Sequence, residues 1–236
     1  MRIIKSIYTT LVLVLFVSLT SCGDLLVTDN EAAGSMKVVE FYGGKCERSK
    51  GFNTGTDENE TYFTLALSES DLVNSYAEML ELPASNVAYL FFNELKEEQA
   101  NYTHVNVELS VPNQLTQEFE FSAKDLKEIC QFVPRFDQIS KHLKDKEYQE
   151  VLGSFSKGDQ EILSPSEIDS SCTQVDSAYG EIQETQFQGF SFFENEMDGR
   201  SVVELFGINI RENMNTPFKL YLDRDTKNTL QFKFDF

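Results

Sequence analysis

The stretch Tyr179-Gly180-Glu181-Ile182 marks the point where the sequence pattern changes from helical to extended. Upstream, Ser164-Pro165-Ser166-Glu167 supplies a helix N-cap, a proline at the first helical position and the glutamate of a capping box. Gly180 is a typical helix terminator, because glycine adopts a left-handed backbone conformation without strain. Downstream, apolar residues recur at every second position. The sequence therefore predicts a helix that ends at Tyr179 and a sheet that begins at Ile182.

Four strands are predicted after this point, at the short spacing that hairpins give. They are Ile182–Glu194, Ser201–Glu212, Phe218–Leu222 and Leu230–Phe236, with turns at Asp198-Gly199 and Thr226-Lys227-Asn228. Such strands form an antiparallel sheet with one face covered. The helices that precede the strands are expected to pack on that face. One of them is predicted to start at Ala123, after the N-cap Ser122, and to break or restart at Pro134.

The first half of the chain mixes both patterns and predicts an α+β part without regular alternation. Helices are predicted from Ser70 to Leu82 and from Asn86 to Glu97, and Pro83 should separate them. The segment from Lys37 to Tyr42 fits a short strand or the end of a helix, while the polar stretch Lys45–Asn59 reads as a loop. Strands are predicted at Thr61–Leu67, at Thr103–Val111 and around Phe119 and Phe121.

The order of elements from Arg135 to Phe236 resembles the nuclear-transport-factor-like or cystatin-like α+β cone. The features that carry the resemblance are a long helix, shorter helices, the Tyr179-Gly180-Glu181-Ile182 step and four antiparallel strands. The resemblance implies a curved sheet wrapped around a helix, often with a pocket at the open end and often a dimer. Members of that family include enzymes, binding modules and scaffolds, so the resemblance does not select a function. No catalytic motif of the family matches this chain residue by residue.

The N-terminus has the order of an export signal. Arg2 and Lys5 precede the apolar run Leu11–Val17, and Leu19-Thr20-Ser21-Cys22 follows. The run is too short for a membrane-spanning helix. The stretch resembles a bacterial lipoprotein signal, whose pattern is Leu, small, small, Cys. The resemblance implies cleavage before Cys22, a diacylglycerol thioether on its sulfur and an acyl chain, such as palmitate, on its new amino group. Two or more acyl chains give stable anchoring, whereas one does not.

These features divide the chain into four predicted segments. They are a signal peptide at 1–21, a lipid-anchored tether at 22–36, an N-terminal α+β part at 37–122 and a cone-like C-terminal domain at 123–236. The protein is expected to be exported and held to a bacterial membrane through the acyl chains on Cys22. The outer membrane is favoured over the inner membrane.

The chain is strongly acidic, with 39 Asp and Glu residues against 20 Lys and Arg residues and a net charge of −19. Removal of the predicted signal peptide, which contains Arg2 and Lys5, would change the net charge from −19 to −21. Such a body repels nucleic acid and anionic lipid, so no nucleic-acid partner is predicted. A basic protein partner and a small apolar ligand both remain open.

Chemical motifs are scarce, and no catalytic residue, metal site or cofactor is predicted. His104 and His142 are the only histidines, and both are predicted to lie on the surface rather than to bind a ligand. Two isolated histidines form neither a zinc site nor a Ser-His-Asp set. No phosphate-binding or dinucleotide-binding loop occurs, and no acidic stretch has the full calcium-loop pattern.

The cysteines and phenylalanines leave alternatives open. Cys46, Cys130 and Cys172 remain once Cys22 carries lipid. Either all three are small buried residues, or two of them form a disulfide. The sequence does not identify which two would pair. The phenylalanines at 91, 92, 187, 190, 192 and 193 could line a pocket, although core packing is favoured.

The predicted function is that of a lipid-anchored envelope protein that acts as a non-enzymatic binding or interaction module. One alternative is a hydrolase or isomerase acting on a small molecule in the C-terminal cone. Another is an anchored inhibitor or immunity-type protein, for which the acidity would suit a basic partner.

Overall fold

The fold is α+β, as the sequence predicts, and contains two four-stranded sheets packed with helices. The computed structural model describes residues 27–54, 59–196 and 198–234. The first half contains helices α1 (Asp29–Tyr42), α2 (Asp71–Ser75) and α3 (Glu81–Glu94), a 3₁₀ helix (Lys96–Asn101), and strands β1 (Lys45–Thr54), β2 (Asn59–Ser68), β3 (His104–Leu109) and β4 (Gln117–Ser122).

The second half has helices first and strands afterwards. The helices are α4 (Ala123–Lys144), α5 (Tyr148–Gly153), α6 (Lys157–Gln160) and α7 (Pro165–Tyr179). The strands are β5 (Ile182–Glu194), β6 (Ser201–Arg211), β7 (Thr216–Asp223) and β8 (Thr229–Phe234). All four predicted strands of this half are therefore present, each within a few residues of its predicted ends.

The two sheets differ in topology. Sheet I has the order β1-β2-β3-β4, in which β2 and β3 run parallel and the two outer pairs are antiparallel. Sheet II has the order β5-β6-β7-β8, and every neighbouring pair is antiparallel. The parallel pair in sheet I arises because α2, α3 and the 3₁₀ helix cross over between β2 and β3, as a parallel connection requires.

One hydrophobic core extends through both halves of the chain. It joins Phe63 of β2, Phe91 of α3, Phe136 of α4 and Phe218 of β7, all of which are fully buried. Helix α3 packs against both β3 and β5 and so connects the two sheets. The predicted boundary between residues 122 and 123 falls at the N-cap of α4, and the core continues across it.

The N-terminal boundaries differ from the prediction because α1 begins at Asp29, inside the predicted tether at 22–36. Thr28 and Glu31 form a capping box at its start, and Gly34 packs against Phe91 so closely that an added Cβ would lie 2.8 Å from that side chain. This close packing folds residues 29–36 into the body. Residues 37–42 are the end of this helix rather than a strand.

Strand β1 occupies most of the predicted loop at 45–59, and that prediction was wrong. Lys45 to Thr54 pair with Ser68 to Asn59 in an antiparallel ladder. The strand lies at the edge of sheet I and is mostly exposed. Backbone pairing therefore forms it without the apolar alternation that identifies a buried strand.

Both helix-interruption predictions were wrong. Pro134 lies inside the continuous helix α4, where apolar residues on both sides of it are buried, including Phe132, Val133 and Phe136. The free energy gained by burying these side chains outweighs the loss of the backbone hydrogen bond that proline removes. Pro83 lies in the first turn of α3, where proline is tolerated because the N–H groups of that turn have no partner within the helix. The helix capped by Ser70 ends at Ser75.

Candidate functional site: a groove beside strand β8

An open groove with a volume of about 790 Å³ lies beside the last strand of sheet II. We call it the β8 groove. Helices α6 and α7 and the segments around them form one wall, β8 forms a second, and the β5–β6 hairpin with β7 forms a third. Its lining consists of Phe155, Asp159, Leu163, Glu167, Ile168, Ser171, Phe193, Asn195, Asp198, Arg200, Val202, Tyr221 and residues 230–234.

The β8 wall is the edge of a strand rather than one of its faces. Five consecutive residues, 230–234, line the groove. Successive side chains of a strand point to opposite faces, so a cavity that touches all five must lie along the strand's edge. Within the part of the chain that the structure describes, β7 is the only strand that pairs along β8, which ends the sheet.

The edge of β8 is already paired at its first residue. Thr229 forms an isolated parallel bridge with Phe155, and its N–H donates to the Ser154 carbonyl at 3.0 Å. The hydroxyls of Ser154 and Thr229 lie 2.7 Å apart. The chain then turns away into α6 at Lys157, and the groove lies where this pairing stops.

The helical wall is positioned by the capping box that the sequence predicts. The Glu167 carboxylate accepts from the Ser164 N–H and from the Ser164 hydroxyl, each at 2.8 Å, so α7 begins at Pro165. This start places Ile168 and Ser171, three residues apart and therefore on one helical face, beside the groove. The hydrogen bonds from Ser164 lower the pKa of Glu167, which carries a negative charge at the rim.

Arg211 holds the end of α7 against sheet II. Its side chain is fully buried, and it donates to Asp176 Oδ1 and to the Gly180 carbonyl, each at 2.6 Å. Its guanidinium carbon also lies 5.6 Å from the ring centre of Phe234, which lines the groove. The helical wall and the strand wall are therefore joined through one buried cation.

The third wall combines aromatic and charged groups. Phe193, which is 41% exposed, packs edge-on against Tyr221 with 6.3 Å between ring centres. The Tyr221 hydroxyl donates to Glu204 at 2.9 Å, and the Lys233 ammonium lies 5.2 Å from the Tyr221 ring. Arg200 pairs with Asp198 at 2.8 Å across the hairpin turn.

The groove's carboxylates serve local structure. Glu167 caps α7, Asp159 accepts from the Ser156 hydroxyl at 2.6 Å at the start of α6, and Asp198 pairs with Arg200. The lining contains neither His nor Cys. Among all the described residues, no group of three or more His, Cys, Asp or Glu side chains is arranged to hold a metal ion. The arrangement suits binding through apolar contact, charge and a strand edge.

Cys22, the predicted lipidation site, lies outside the described residues, so its acylation stays a prediction. Cys46, Cys130 and Cys172 are free thiols, and the alternative of a disulfide among them was wrong. Cys172 is buried and the other two are half-buried. Burial raises the pKa of each thiol to about 11, so these cysteines are mainly protonated at neutral pH and weak nucleophiles.

The prediction that His104 lies on the surface was wrong. It is 8% exposed and stacks on Tyr62 of the neighbouring strand with 5.1 Å between ring centres. Its Nδ1 lies 3.0 Å from the Thr103 hydroxyl. The Tyr62 ring covers His104, although His104 and the buried Val105 lie on opposite faces of sheet I. His142 is half-buried, and its Nδ1 lies 2.6 Å from Glu147.

Sequence patterns found the elements that form the groove but not the groove itself. The prediction that the phenylalanines pack in the core holds for Phe91, Phe92 and Phe190, which are buried. Phe193 instead lines the groove. Leu163, Ile168 and Tyr221 were missed, because no local pattern shows that α7 lies beside β8.

No family model, curated protein or solved structure matches this chain. No helix of the described residues has the length and apolar character needed to span a bilayer.

Proposed function

We propose that this chain is a lipid-anchored protein of the bacterial cell envelope that binds another molecule in the β8 groove and does not transform it chemically. The observation that carries the proposal is the groove itself, whose lining is partly apolar and which runs along the edge of β8. Its volume of about 790 Å³ lies in the range of ligand sites, roughly 300–1,000 Å³.

Binding is favoured over catalysis because of how the ionisable groups are used. A hydrolase or isomerase needs a general base or nucleophile within hydrogen-bond reach of the substrate. In this groove, Glu167 completes the capping box of α7, Asp159 accepts from the hydroxyl of the N-cap Ser156, and Asp198 is paired with Arg200. These contacts account for every carboxylate in the lining.

The anchor would hold a defined pole of the body close to the bilayer. Six Cα–Cα steps separate Cys22 from Thr28, so this segment spans at most roughly 20 Å. Thr28 is fixed to the 3₁₀ helix, because its hydroxyl donates to Glu98 at 2.6 Å, and the Asn30 amide donates to the same carboxylate at 2.9 Å. The pole that contains Thr28, Asn30 and Glu98 would therefore face the membrane.

The anchor is tested by palmitate labelling in cells that express the full chain. Cys22→Ala should abolish incorporation of radiolabelled palmitate, and Cys46→Ala should leave it unchanged. Labelling that persists in Cys22→Ala would contradict the proposed anchor.

The binding site is tested by photo-crosslinking in the same cells. A benzoylphenylalanine at Phe193, in the groove, should give discrete adducts. The same residue at Met79, which is 61% exposed and does not line the groove, should give none. Equal adduct patterns at the two positions, or none at Phe193, would contradict the β8 groove as the binding site.

A further inference from the structure

We infer that the ligand of the β8 groove is an extended, basic segment of another polypeptide, which pairs with β8 as an added strand. This inference rests on the proposed function and names its partner class. The proposal follows from three features of the groove: the strand edge, the apolar inner side and the charge.

The strand edge provides backbone groups for pairing. Interior strands of a sheet are paired on both sides, whereas β8 pairs along its length with β7 alone among the described strands. The Phe155–Thr229 bridge shows that a chain segment can pair with β8 along the edge that faces away from β7. An added strand would continue that pairing past residue 229, and five residues would span roughly 17 Å of the groove.

The inner side of the groove suits apolar side chains at alternate positions of an added strand. Phe232 and Phe234 face the core side of sheet II, where their rings pack against Phe155 and Phe218 respectively. Leu163 and Ile168 lie on the opposite wall. Side chains that point inward from an added strand would pack between these two apolar surfaces.

Charge complementarity selects a basic polypeptide. The lining contains three carboxylates, against the two cations Arg200 and Lys233. Arg200 is already paired with Asp198, so the helical wall keeps the two negative charges of Asp159 and Glu167, and Lys233 lies on β8 itself. The whole chain carries −19, so a second copy would be repelled and a basic segment attracted.

The test uses the full chain purified in mild detergent and three capped seven-residue peptides. The first alternates lysine and valine, the second alternates glutamate and valine, and the third is the lysine peptide with a methyl group on every backbone nitrogen. The N-methylated peptide keeps the charge but cannot donate the strand hydrogen bonds. It therefore separates strand pairing from general attraction to an acidic surface.

The lysine peptide should bind, with an affinity that falls as salt is added. The glutamate and N-methylated peptides should each bind at least about tenfold more weakly, the loss expected from about 1.4 kcal/mol. Amide exchange at residues 230–234 should slow only when the lysine peptide is present. Equal binding of the lysine and N-methylated peptides, or binding without protection of β8, would overturn strand addition.

Two matched double variants locate the charge effect. Asp159→Asn with Glu167→Gln keeps both cap hydrogen-bond acceptors and should weaken lysine-peptide binding about fivefold. Glu78→Gln with Glu97→Gln removes the same charge from exposed positions that do not line the groove and should change binding less than twofold. Equal effects of the two double variants would overturn the proposed role of the helical wall.

The remaining outcomes separate this inference from the proposed function. If no peptide binds while the Phe193 crosslinks persist, the groove binds another class of ligand and the strand-addition inference fails alone. If both experiments fail, the proposed function fails with it. A concentration-dependent dimer in analytical ultracentrifugation that protects residues 230–234 would overturn the inference in favour of a second copy.

Discussion

Glu31 shows how a single buried carboxylate stabilises the N-terminal part of the body. It is 1% exposed and accepts hydrogen bonds from the Tyr102 hydroxyl, from the Thr28 N–H at 2.8 Å and from the Lys50 ammonium at 2.8 Å. Burial acts to raise its pKa, but the hydrogen bonds from Lys50, Tyr102 and Thr28 outweigh burial, so the pKa lies below the ordinary value of 4.5. Burial raises the pKa of Tyr102, and the hydrogen bond with Glu31 raises it further.

The lowered pKa of Glu31 predicts a pH-dependent contribution to stability. Its stabilisation should be fully present above about pH 4.5, the unfolded value, and should be lost as pH falls through the lower folded value. Glu31→Gln should therefore reduce the free energy of unfolding most near pH 7, and the deficit should narrow below pH 4.5. Urea unfolding between pH 3 and pH 7 measures this. Glu40→Gln, in an exposed ion pair with Lys37, is the control and should show little deficit at any pH.

At the scale of elements, the contact between α3 and β5 joins the two sheets. The Ser85 hydroxyl accepts from the Phe190 N–H at 2.9 Å and donates to the Leu82 carbonyl at 2.8 Å. Beside this contact, Gly189 has a φ of 149°, and an added Cβ would lie 2.5 Å from the Leu82 carbonyl oxygen. Helix and strand therefore meet at a position that only glycine fits.

Gly189→Ala should reduce the free energy of unfolding by about 3 kcal/mol, because it combines backbone strain with a clash against the α3 backbone. Gly153→Ala is the matched control, since nothing lies within 4 Å of an added Cβ at the end of α5. It should be neutral or stabilise by about 0.5 kcal/mol, because alanine is the better helix former. Urea unfolding of both variants measures the difference. Similar stabilities would contradict the close α3–β5 contact.

At the scale of the whole molecule, a single core predicts a single folding unit. The sequence divides the body at 122/123, but α3 from the first part packs on β5 of the second. Tyr89 of α3 also packs edge-on against Phe187 of β5, with 5.2 Å between ring centres. Separation of the parts would expose this apolar contact to water.

A fragment of residues 123–236 should therefore not unfold cooperatively when expressed alone. The full chain should unfold in one transition, monitored by tyrosine fluorescence and by far-ultraviolet circular dichroism, because both parts share one core. A fragment with a cooperative transition of its own would contradict the shared core as the source of stability. Mixing it with residues 23–122 and regaining one transition would support that core.

The sequence by itself determined the α+β class and most of the local boundaries. The Ser164–Glu167 capping box, the stop at Gly180 and the four strands after it depend on backbone hydrogen bonds and side-chain alternation within a few residues. Such interactions leave a signature in the local pattern. The resemblance of Leu19-Thr20-Ser21-Cys22 to a lipoprotein signal is also a local pattern, and both cleavage before Cys22 and its acylation stay predictions.

Only the tertiary structure decided the features that depend on distant neighbours. The continuity of α4 through Pro134, the pairing of the polar strand β1 and the burial of His104 each arise from contacts that no local pattern contains. The β8 groove belongs to this group, because its walls come from α7, β8 and the β5–β6 hairpin. Packing free energy depends on which surfaces meet in space, so it can override local propensity and create a site from residues far apart in the chain.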